Sequence, residues 1–144
     1  MQIDEKDAAL LRLLSDNARS PISDLARALG LARTTVQARV ERLERGGFIA
    51  GYTLRKGPSA RPILRASALL SVEPRSGAAV LQKLKSLSQV EKVHTTSGRF
   101  DLVVELSAQS TEELDKTLDD IGAARGVKSS ESLIHLSTKI DRSA

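Results

Sequence analysis

The sequence has no cysteine and no long apolar run, and these absences exclude several classes of protein. Without cysteine there is neither a disulfide framework nor a thiolate metal site, which fits a chain working in a reducing interior. No run of about eighteen apolar residues occurs, so no membrane-spanning helix is predicted. The N-terminus places acidic residues before its apolar stretch, whereas a secretory leader starts with basic ones. We therefore expect a cytoplasmic protein that does not enter a membrane.

Signatures of catalysis and of metal binding are also missing. The only histidines are His94 and His135, and without cysteine they make a poor zinc site. No glycine-rich phosphate loop follows a predicted strand, and no nucleophile elbow is present. We expect no enzymatic activity and no cofactor, and we interpret the two histidines as core or interface residues.

Positive charge is concentrated in the N-terminal half. Residues 1–65 carry 12 Lys/Arg against 7 Asp/Glu, whereas residues 66–144 carry 10 against 11. Between residues 31 and 65 there are eight basic residues and only two acidic ones, Glu41 and Glu44. A localised basic patch suits a polyanionic partner, although a solvated protein face would carry similar charges.

The apolar pattern has a helical period up to about residue 50. A first helix is expected after the N-cap Asp4, and a short second helix should end at a left-handed Gly30. The third should run from about Ala32 to Arg45. Residues 48–54 are β-prone and are interpreted as a wing or linker strand. The glycine- and proline-punctuated segment 56–62 predicts a linker between a domain at 1–55 and another at 63–144.

Strands and helices alternate after the linker. Strands are expected at 63–72, 90–96, 101–106 and within 127–140, and helices at 76–87 and after the capping box at 110–113. This βαββαβ order is that of a ferredoxin-like domain. Its two helices cover one face of the sheet, and the other face is most cheaply covered by a second copy. The fold class is therefore α+β, and a homo-oligomer is expected.

The third helix carries most of the functional argument. Its apolar residues Val36, Val40 and Leu43 share one stripe, so the polar residues face away from the core. In a helix-turn-helix, the N-terminal part of the second helix of the motif reaches base edges in the major groove of double-stranded DNA. The candidate base readers are Arg33, Thr34, Thr35, Gln37 and Ala38.

Later arginines of the same helix are candidates for phosphate contacts. Arg42 and Arg45 lie one to two turns further on and would set the register on the duplex. Arg39 lies beside the apolar stripe, and both a phosphate contact and local packing stay open for it. An ordinary three-helix bundle with solvated charges would show similar spacing. The acid-free first half of the helix favours DNA, because a merely solvated helix usually mixes both signs.

Three segments together resemble a known family. The runs ISDLARALGLARTTVQARVERLERGGFIAGYTL, VEKVHTTSGRFDLVVEL and RGVKSSESLI are similar to the leucine-responsive/asparagine regulator (Lrp/AsnC) family. The resemblance extends from Ile3 to Ile140. It implies a winged helix-turn-helix joined to a βαββαβ amino-acid-sensing domain, assembly through the sheets into dimers and larger rings, and control of transcription.

The resemblance also implies an effector pocket, commonly for an amino acid. Its glycine-x-x-aspartate turn falls on Gly98 and Asp101, where a carboxylate can pair with an α-ammonium group. A simple β-connection is the structural alternative for this turn. The candidate effector contacts carried over are Thr96, Ser97, Gly98, Arg99, Asp101, Ser130 and Ser132.

This sequence departs from the family pattern at three positions. Ala32 stands where serine is usual, so the third helix lacks a side-chain N-cap, at a cost of about 1 kcal/mol. Phe100 supplies the usual aromatic residue without a hydroxyl, and Arg99 is bulky. The identity of the effector is therefore left open.

Three functions are compatible with these features. The first is an effector-responsive transcription regulator. The second is a DNA-bridging architectural protein, for which specific and non-specific affinities would be nearly equal. The third is a metabolite-binding module or allosteric subunit, whose binding would ignore salt.

Overall fold

The structure is a computed structural model that describes residues 2–57, 59–60 and 63–143. The chain divides into two compact units, one comprising Met1–Gly57 together with Ser143–Ala144 and the other comprising Pro58–Arg142. Of the predicted linker at 56–62, residues 58, 61 and 62 lie outside the described residues.

The first unit is helical. Its helices are α1 (Glu5–Asp16), α2 (Ile22–Leu29) and α3 (Arg33–Arg45). The predicted N-cap of α1 is confirmed, because the Asp4 carboxylate accepts the Asp7 N–H and the Asp7 carboxylate accepts the Asp4 N–H. The predicted end of α2 is confirmed as well. Gly30 has φ of 66°, a left-handed conformation that glycine adopts without a steric penalty.

Six buried apolar side chains form the core of this unit between the three helices. They are Leu10, Leu25, Ala26, Leu29, Val36 and Leu43. Val36 and Leu43 of the predicted stripe on α3 are fully buried, and Val40 is half-buried. Burying one such side chain contributes about 1.5–3 kcal/mol, so the stripe fixes which face of α3 points outward.

The strand predicted at residues 48–54 is not formed. These residues follow the turn after α3 and have no regular secondary structure. The described part of the helical unit contains no other strand, and an isolated β-prone run has no neighbour with which to form a ladder. Helices α2 and α3 form the predicted helix-turn-helix, whereas residues 48–54 form no wing strand in the single chain.

The second unit has the predicted βαββαβ order. Its elements are β1 (Leu64–Val72), α4 (Gly77–Lys85), β2 (Val90–Thr95), β3 (Leu102–Ala108), α5 (Thr111–Gly122) and β4 (Val127–Ile134). The strands pair antiparallel in the order β2-β3-β1-β4. The predicted helix start at Ser110 is confirmed, since its hydroxyl accepts the Glu113 N–H.

The last strand is shorter than predicted. Leu136 and Ile140, expected within it, are 96% and 72% exposed and lie beyond its end. In the described sheet β4 pairs with β1 alone, and that pairing begins at Ala66, two residues after the start of β1. Only two residues of β1, Leu64 and Arg65, extend beyond that pair, and a single hydrogen bond, from the His135 N–H to Arg65 O, continues past the end of β4.

The two faces of the sheet differ in burial. On β1 and β3 the alternate residues Ala66, Leu70 and Val104 are buried against α4 and α5. Their neighbours on the opposite face, such as Leu69 and Val103, are only half-buried. The helices thus cover one face, and the other stays open in the single chain.

Among the described residues, no helix combines the length and the apolar character needed to cross a membrane.

Candidate nucleic-acid interface and effector region

The outward face of α3 holds the predicted base readers together. All five are exposed, while Val36, which lies between them and belongs to the stripe, is buried. They are Arg33, Thr34, Thr35, Gln37 and Ala38. Two shallow depressions run along this face, and Thr34 and Ala38 line both of them. The first half of α3 therefore exposes these five side chains together on one surface.

The start of α3 lacks a side-chain cap, as the sequence predicted. Ala32 is the N-cap residue, with extended backbone angles and no side-chain hydrogen bond. No acidic residue occupies the first turn of the helix. The partial positive charge of the helix N-terminus is thus left uncompensated by the helix's own side chains, an arrangement that attracts anions.

Arg39 is committed to an ion-pair cluster within the unit. Its Nη1 donates to Asp4 Oδ1 and Oδ2 at 2.9 and 2.8 Å and to Asp7 Oδ1 at 2.9 Å. The Arg39 side chain is 21% exposed and that of Asp7 only 1%. Of the two roles left open for Arg39, local packing is the one that this geometry shows in the single chain.

Arg42 also binds the buried Asp7 carboxylate, but about half of its side chain remains exposed. Its Nη2 lies 2.9 Å from Asp7 Oδ2 and 3.2 Å from Asp7 Oδ1, and the side chain is 48% exposed. It lines the same depression as Thr34, Thr35 and Arg45. Arg45 is exposed and makes no ion pair among the described residues.

The cluster shifts two pKa values in the direction expected of an ion pair. The hydrogen bond from Arg39, followed by that from the Asp7 N–H, lowers the pKa of Asp4. The hydrogen bonds to Asp4 and Asp7 raise the pKa of Arg39. Both groups are therefore charged at neutral pH.

Sequence reasoning missed Asp7, whose carboxylate joins α1 to α3. It lies on the first turn of α1, where acidic residues are common at surfaces, and its partners are 32 and 35 residues away. The one available signal was its position three residues after the N-cap Asp4, which predicts a capping box but not a burial site.

The acidic residues of α3 have partners other than Arg45. Gln37 Nε2 lies 3.4 Å from Glu41 Oε1, one turn along the helix. Burial, together with the charge and hydrogen bond of Glu44, raises the pKa of Tyr52. Glu44 is thereby associated with the segment that follows α3 and lies past the predicted base readers.

The predicted effector turn connects β2 to β3. Gly98 has φ of 130°, which disfavours any side chain, and apart from Gly98 and its two chain neighbours no atom of the described residues lies within 4 Å of where a Cβ would sit. Thr96 closes the turn, since its N–H donates to Asp101 O and its hydroxyl to Phe100 O. The Arg99 guanidinium lies 4.9 Å from the centre of the Phe100 ring.

Asp101 has a structural contact as well as an outward atom. Its Oδ2 accepts the Val72 N–H at 2.8 Å, and its own N–H donates to Leu70 O. Asp101 is exposed, and its Oδ1 has no hydrogen-bond partner among the described residues. One carboxylate oxygen therefore anchors the end of β1, while the other makes no hydrogen bond among the described residues.

Two other predicted effector contacts, Ser130 and Ser132, lie on β4, across β1 from the turn. Leu70 pairs with Leu102 on one side and with Ser130 on the other. Ser130 faces α5, and its Oγ lies 3.1 Å from where a Cβ on Gly122 would sit. Both Ser130 and Ser132 are exposed. Ser97 is exposed in the turn.

An ion pair links the turn directly to β4. Arg99 Nη2 lies 3.3 Å from Glu131 Oε2, and both side chains are largely exposed. The turn and the last strand are therefore neighbours in the single chain, although they are about thirty residues apart in the sequence.

Neither histidine lies in the core, and this part of the interpretation is wrong. His94 is exposed on the open face of the sheet, and His135 follows β4. Ser67 Oγ lies 2.9 Å from His135 Nε2 and 3.0 Å from Glu105. Since the single serine proton goes to the carboxylate, His135 donates to Ser67. The described residues contain no group of three His, Asp or Glu placed to hold a metal.

Comparison with known proteins identifies both units. Residues 3–44 match the AsnC-type helix-turn-helix domain, and residues 65–144 match the Lrp/AsnC ligand binding domain. The HTH-type transcriptional regulator LrpA of Pyrococcus horikoshii is 33% identical over 127 residues, covering 87% of this chain and 90% of that protein. The HTH-type transcriptional regulator FL11 of Pyrococcus abyssi is 29% identical over 139 residues, covering 96% and 92%.

Solved structures match over nearly the whole chain. E. coli AsnC superimposes with a TM-score of 0.88 at 26% identity, covering 100% of this chain and 99% of that one. A feast or famine regulatory protein from M. tuberculosis, solved in complex with L-methionine, has a TM-score of 0.85 at 29% identity and covers 98% and 97%.

Proposed function

The chain belongs to the Lrp/AsnC family of transcription regulators, and from this we propose that α3 reads double-stranded DNA through its outward face. One observation carries the proposal. The five polar or small residues of the first half of α3 are all exposed, while Val36 and Leu43 beside them are fully buried. The match to the family's helix-turn-helix domain supports DNA as the partner of α3. The burial of Val36 and Leu43 identifies which face of α3 would meet the DNA.

The side chains on this face divide by chemistry. Gln37 can pair bidentately with adenine, Arg33 with guanine, and the methyl groups of Thr34 and Ala38 can contact thymine. Arg45, exposed one to two turns further along α3, would contact phosphate. Arg42 would contact phosphate through the half of its guanidinium that Asp7 does not hold.

Selection from a pool of random duplexes tests this assignment and requires no identified operator. Duplexes enriched by the protein would be compared with scrambled duplexes over a range of salt. We expect a strong preference for the enriched sequence, which Gln37→Ala should reduce while affinity for the scrambled duplex stays unchanged. A specificity ratio near one would instead favour an architectural protein, and affinity indifferent to salt would favour a metabolite-binding module.

We further propose that an amino acid binds beside the β2–β3 turn and modulates DNA binding. Asp101 is exposed and its Oδ1, which makes no hydrogen bond among the described residues, can receive an α-ammonium group, while Ser130 and Ser132 can donate to a carboxylate. The L-methionine complex of the M. tuberculosis relative supports this class of ligand. The protein would act as a binding protein without catalysis, in the cytoplasm where chromosomal DNA is found.

Charge removal at Asp101 tests the effector site. Asp101→Asn keeps an acceptor for the Val72 N–H, so the end of β1 should stay anchored while the carboxylate is lost. We expect amino acids tested one at a time to shift the thermal midpoint and the DNA affinity of the wild type but not of this variant. If amino acids shift the thermal midpoint and DNA affinity of the variant as much as those of the wild type, the pocket lies elsewhere.

Self-association through the open face of the sheet is proposed on similar grounds. Leu69 and Val103 lie half-buried on this face, and Leu133 is half-exposed on the adjacent edge strand. Leu69→Asp should therefore reduce the mass measured by sedimentation, whereas Leu136→Asp, beyond β4, should leave it unchanged. Equal masses for the two variants would exclude this face as the contact.

A further inference from the structure

We propose that Asp7 is a positioning residue for DNA binding, acting through Arg42. The inference rests on the proposed contact of Arg42 with phosphate and assigns a role to a carboxylate that no DNA can reach, since its side chain is 1% exposed. Asp7 belongs to α1, whereas the contact it controls belongs to α3.

The geometry of the pair divides the Arg42 guanidinium in two. Nη2 is directed at both oxygens of Asp7, at 2.9 and 3.2 Å. No other hydrogen bond of this guanidinium occurs among the described residues, so the donors on Nη1 and Nε are available to a ligand. Because the fork of arginine is rigid and planar, fixing one nitrogen orients the other two.

The Asp7 carboxylate is itself held firmly. Oδ1 accepts from Arg39 and Arg42, and Oδ2 accepts from Arg42 and from the Asp4 N–H. Asp4 in turn binds Arg39, so two carboxylates and two guanidinium groups form a network without net charge. A long arginine on a surface would otherwise lose considerable side-chain entropy on meeting phosphate, and this network has already restricted it.

Charge and positioning predict opposite signs for the loss of Asp7. Removing one negative charge beside a DNA-binding surface strengthens attraction to phosphate if electrostatics alone matter. If Asp7 orients Arg42, the same change weakens binding, because the guanidinium loses its fixed direction. The sign of the effect therefore separates the two explanations.

The test measures affinity of the full chain for a mixed-sequence DNA duplex, since phosphate contacts do not depend on sequence. Asp7→Asn should weaken binding by about fivefold, within the range of coupling seen between contacting residues. Asp4→Asn is the matched control. It removes the same charge from the same network but leaves Arg42 held, so its affinity should equal or exceed that of the wild type.

Repeating the substitution without Arg42 isolates the path of the effect. In an Arg42→Ala background, Asp7→Asn should no longer weaken binding. Equal weakening in both backgrounds would overturn the proposal, as would an Asp7→Asn variant that binds as tightly as the wild type. Thermal unfolding of each variant checks that the helical unit is folded.

Arg42→Lys provides a second measurement should Asp7→Asn fail to fold. Lysine keeps the charge and a partner for Asp7, but a single ammonium group cannot hold the carboxylate and orient separate donors toward phosphate. We expect a loss of affinity close to that of Arg42→Ala, and wild-type affinity in this variant would overturn the proposal. If the wild type itself binds duplex without salt dependence, the proposed DNA-binding function fails first and this inference with it.

Discussion

Arg39 and Arg45 lie on one helix, and their replacement by alanine should have opposite consequences. Arg39 bonds to Asp4 and to the buried Asp7 at 2.8–2.9 Å. Breaking a buried ion pair costs about 3–5 kcal/mol when the remaining charge is left alone. Here Asp7 keeps Arg42 and the Asp4 N–H, so we expect Arg39→Ala to lower the free energy of unfolding by about 2 kcal/mol.

Arg45→Ala should leave stability nearly unchanged and should alter DNA binding. The side chain is exposed, and surface substitutions of this kind stay within about 0.5 kcal/mol. Loss of one phosphate contact reduces the slope of log affinity against log salt by about one. Arg39→Ala, by contrast, should leave that slope close to its wild-type value, because Arg39 already has its partners.

The chain provides a convenient probe for the stability measurement. Tyr52 is the only tyrosine, there is no tryptophan, and Tyr52 belongs to the helical unit. Tyrosine fluorescence during denaturant unfolding therefore reports on that unit alone, and fluorescence anisotropy of labelled duplex gives the salt slope. An Arg39→Ala variant with normal stability and a reduced slope would refute the reasoning, as would an unstable Arg45→Ala variant.

Three further predictions follow from local geometry. Gly126→Ala should destabilise the second unit by about 3 kcal/mol in calorimetry, because φ is +100° and a Cβ would lie 2.6 Å from that of Ser76. Gly98→Ala is the comparison: φ is +130° but the space around it is open, so it should cost only the strain of the backbone conformation, about 1–2 kcal/mol. Ala32→Ser should add about 1 kcal/mol by capping α3, seen as a higher denaturant midpoint in Tyr52 fluorescence. Arg39 lowers the pKa of Asp4, so the stabilisation from the Asp4 carboxylate should be complete above the ordinary pKa of 3.8 and fade as the pH falls below it. The free energies of unfolding of the wild type and of Asp4→Asn should therefore converge in acid.

Local signals in the sequence were sufficient for most of the fold. Asp4, Gly30 and Ser110 each mark a helix end through contacts within a few residues, and all three ends are confirmed. The apolar segments after the linker likewise predicted the four strands of the sheet and their order along the chain. Such features depend on the residues near each position, which is the information that a sequence pattern contains.

Features that depend on distant partners were missed. The strand expected at 48–54 has no neighbour in its own unit, and β4 ends where its pairing with β1 ends. The buried Asp7 pairs with two arginines more than thirty residues away. The anchoring of Asp101 to the Val72 N–H is of the same kind. No propensity or spacing encodes these contacts, because each requires the tertiary arrangement first.

The same distinction changes how the basic patch is understood. Eight basic residues lie between positions 31 and 65, and if all of them met phosphate the salt dependence would be very steep. Several of them already have partners: Arg39 and Arg42 at Asp7, Arg55 at the Asp16 carbonyl and Arg65 at Glu91. On α3 this leaves Arg33, Arg45 and the outward half of Arg42 for DNA. With a slope of about −0.9 for each phosphate neutralised, one protomer should then show about −2 to −3 from this helix, and a steeper value would mean that DNA draws the paired arginines away from their carboxylates.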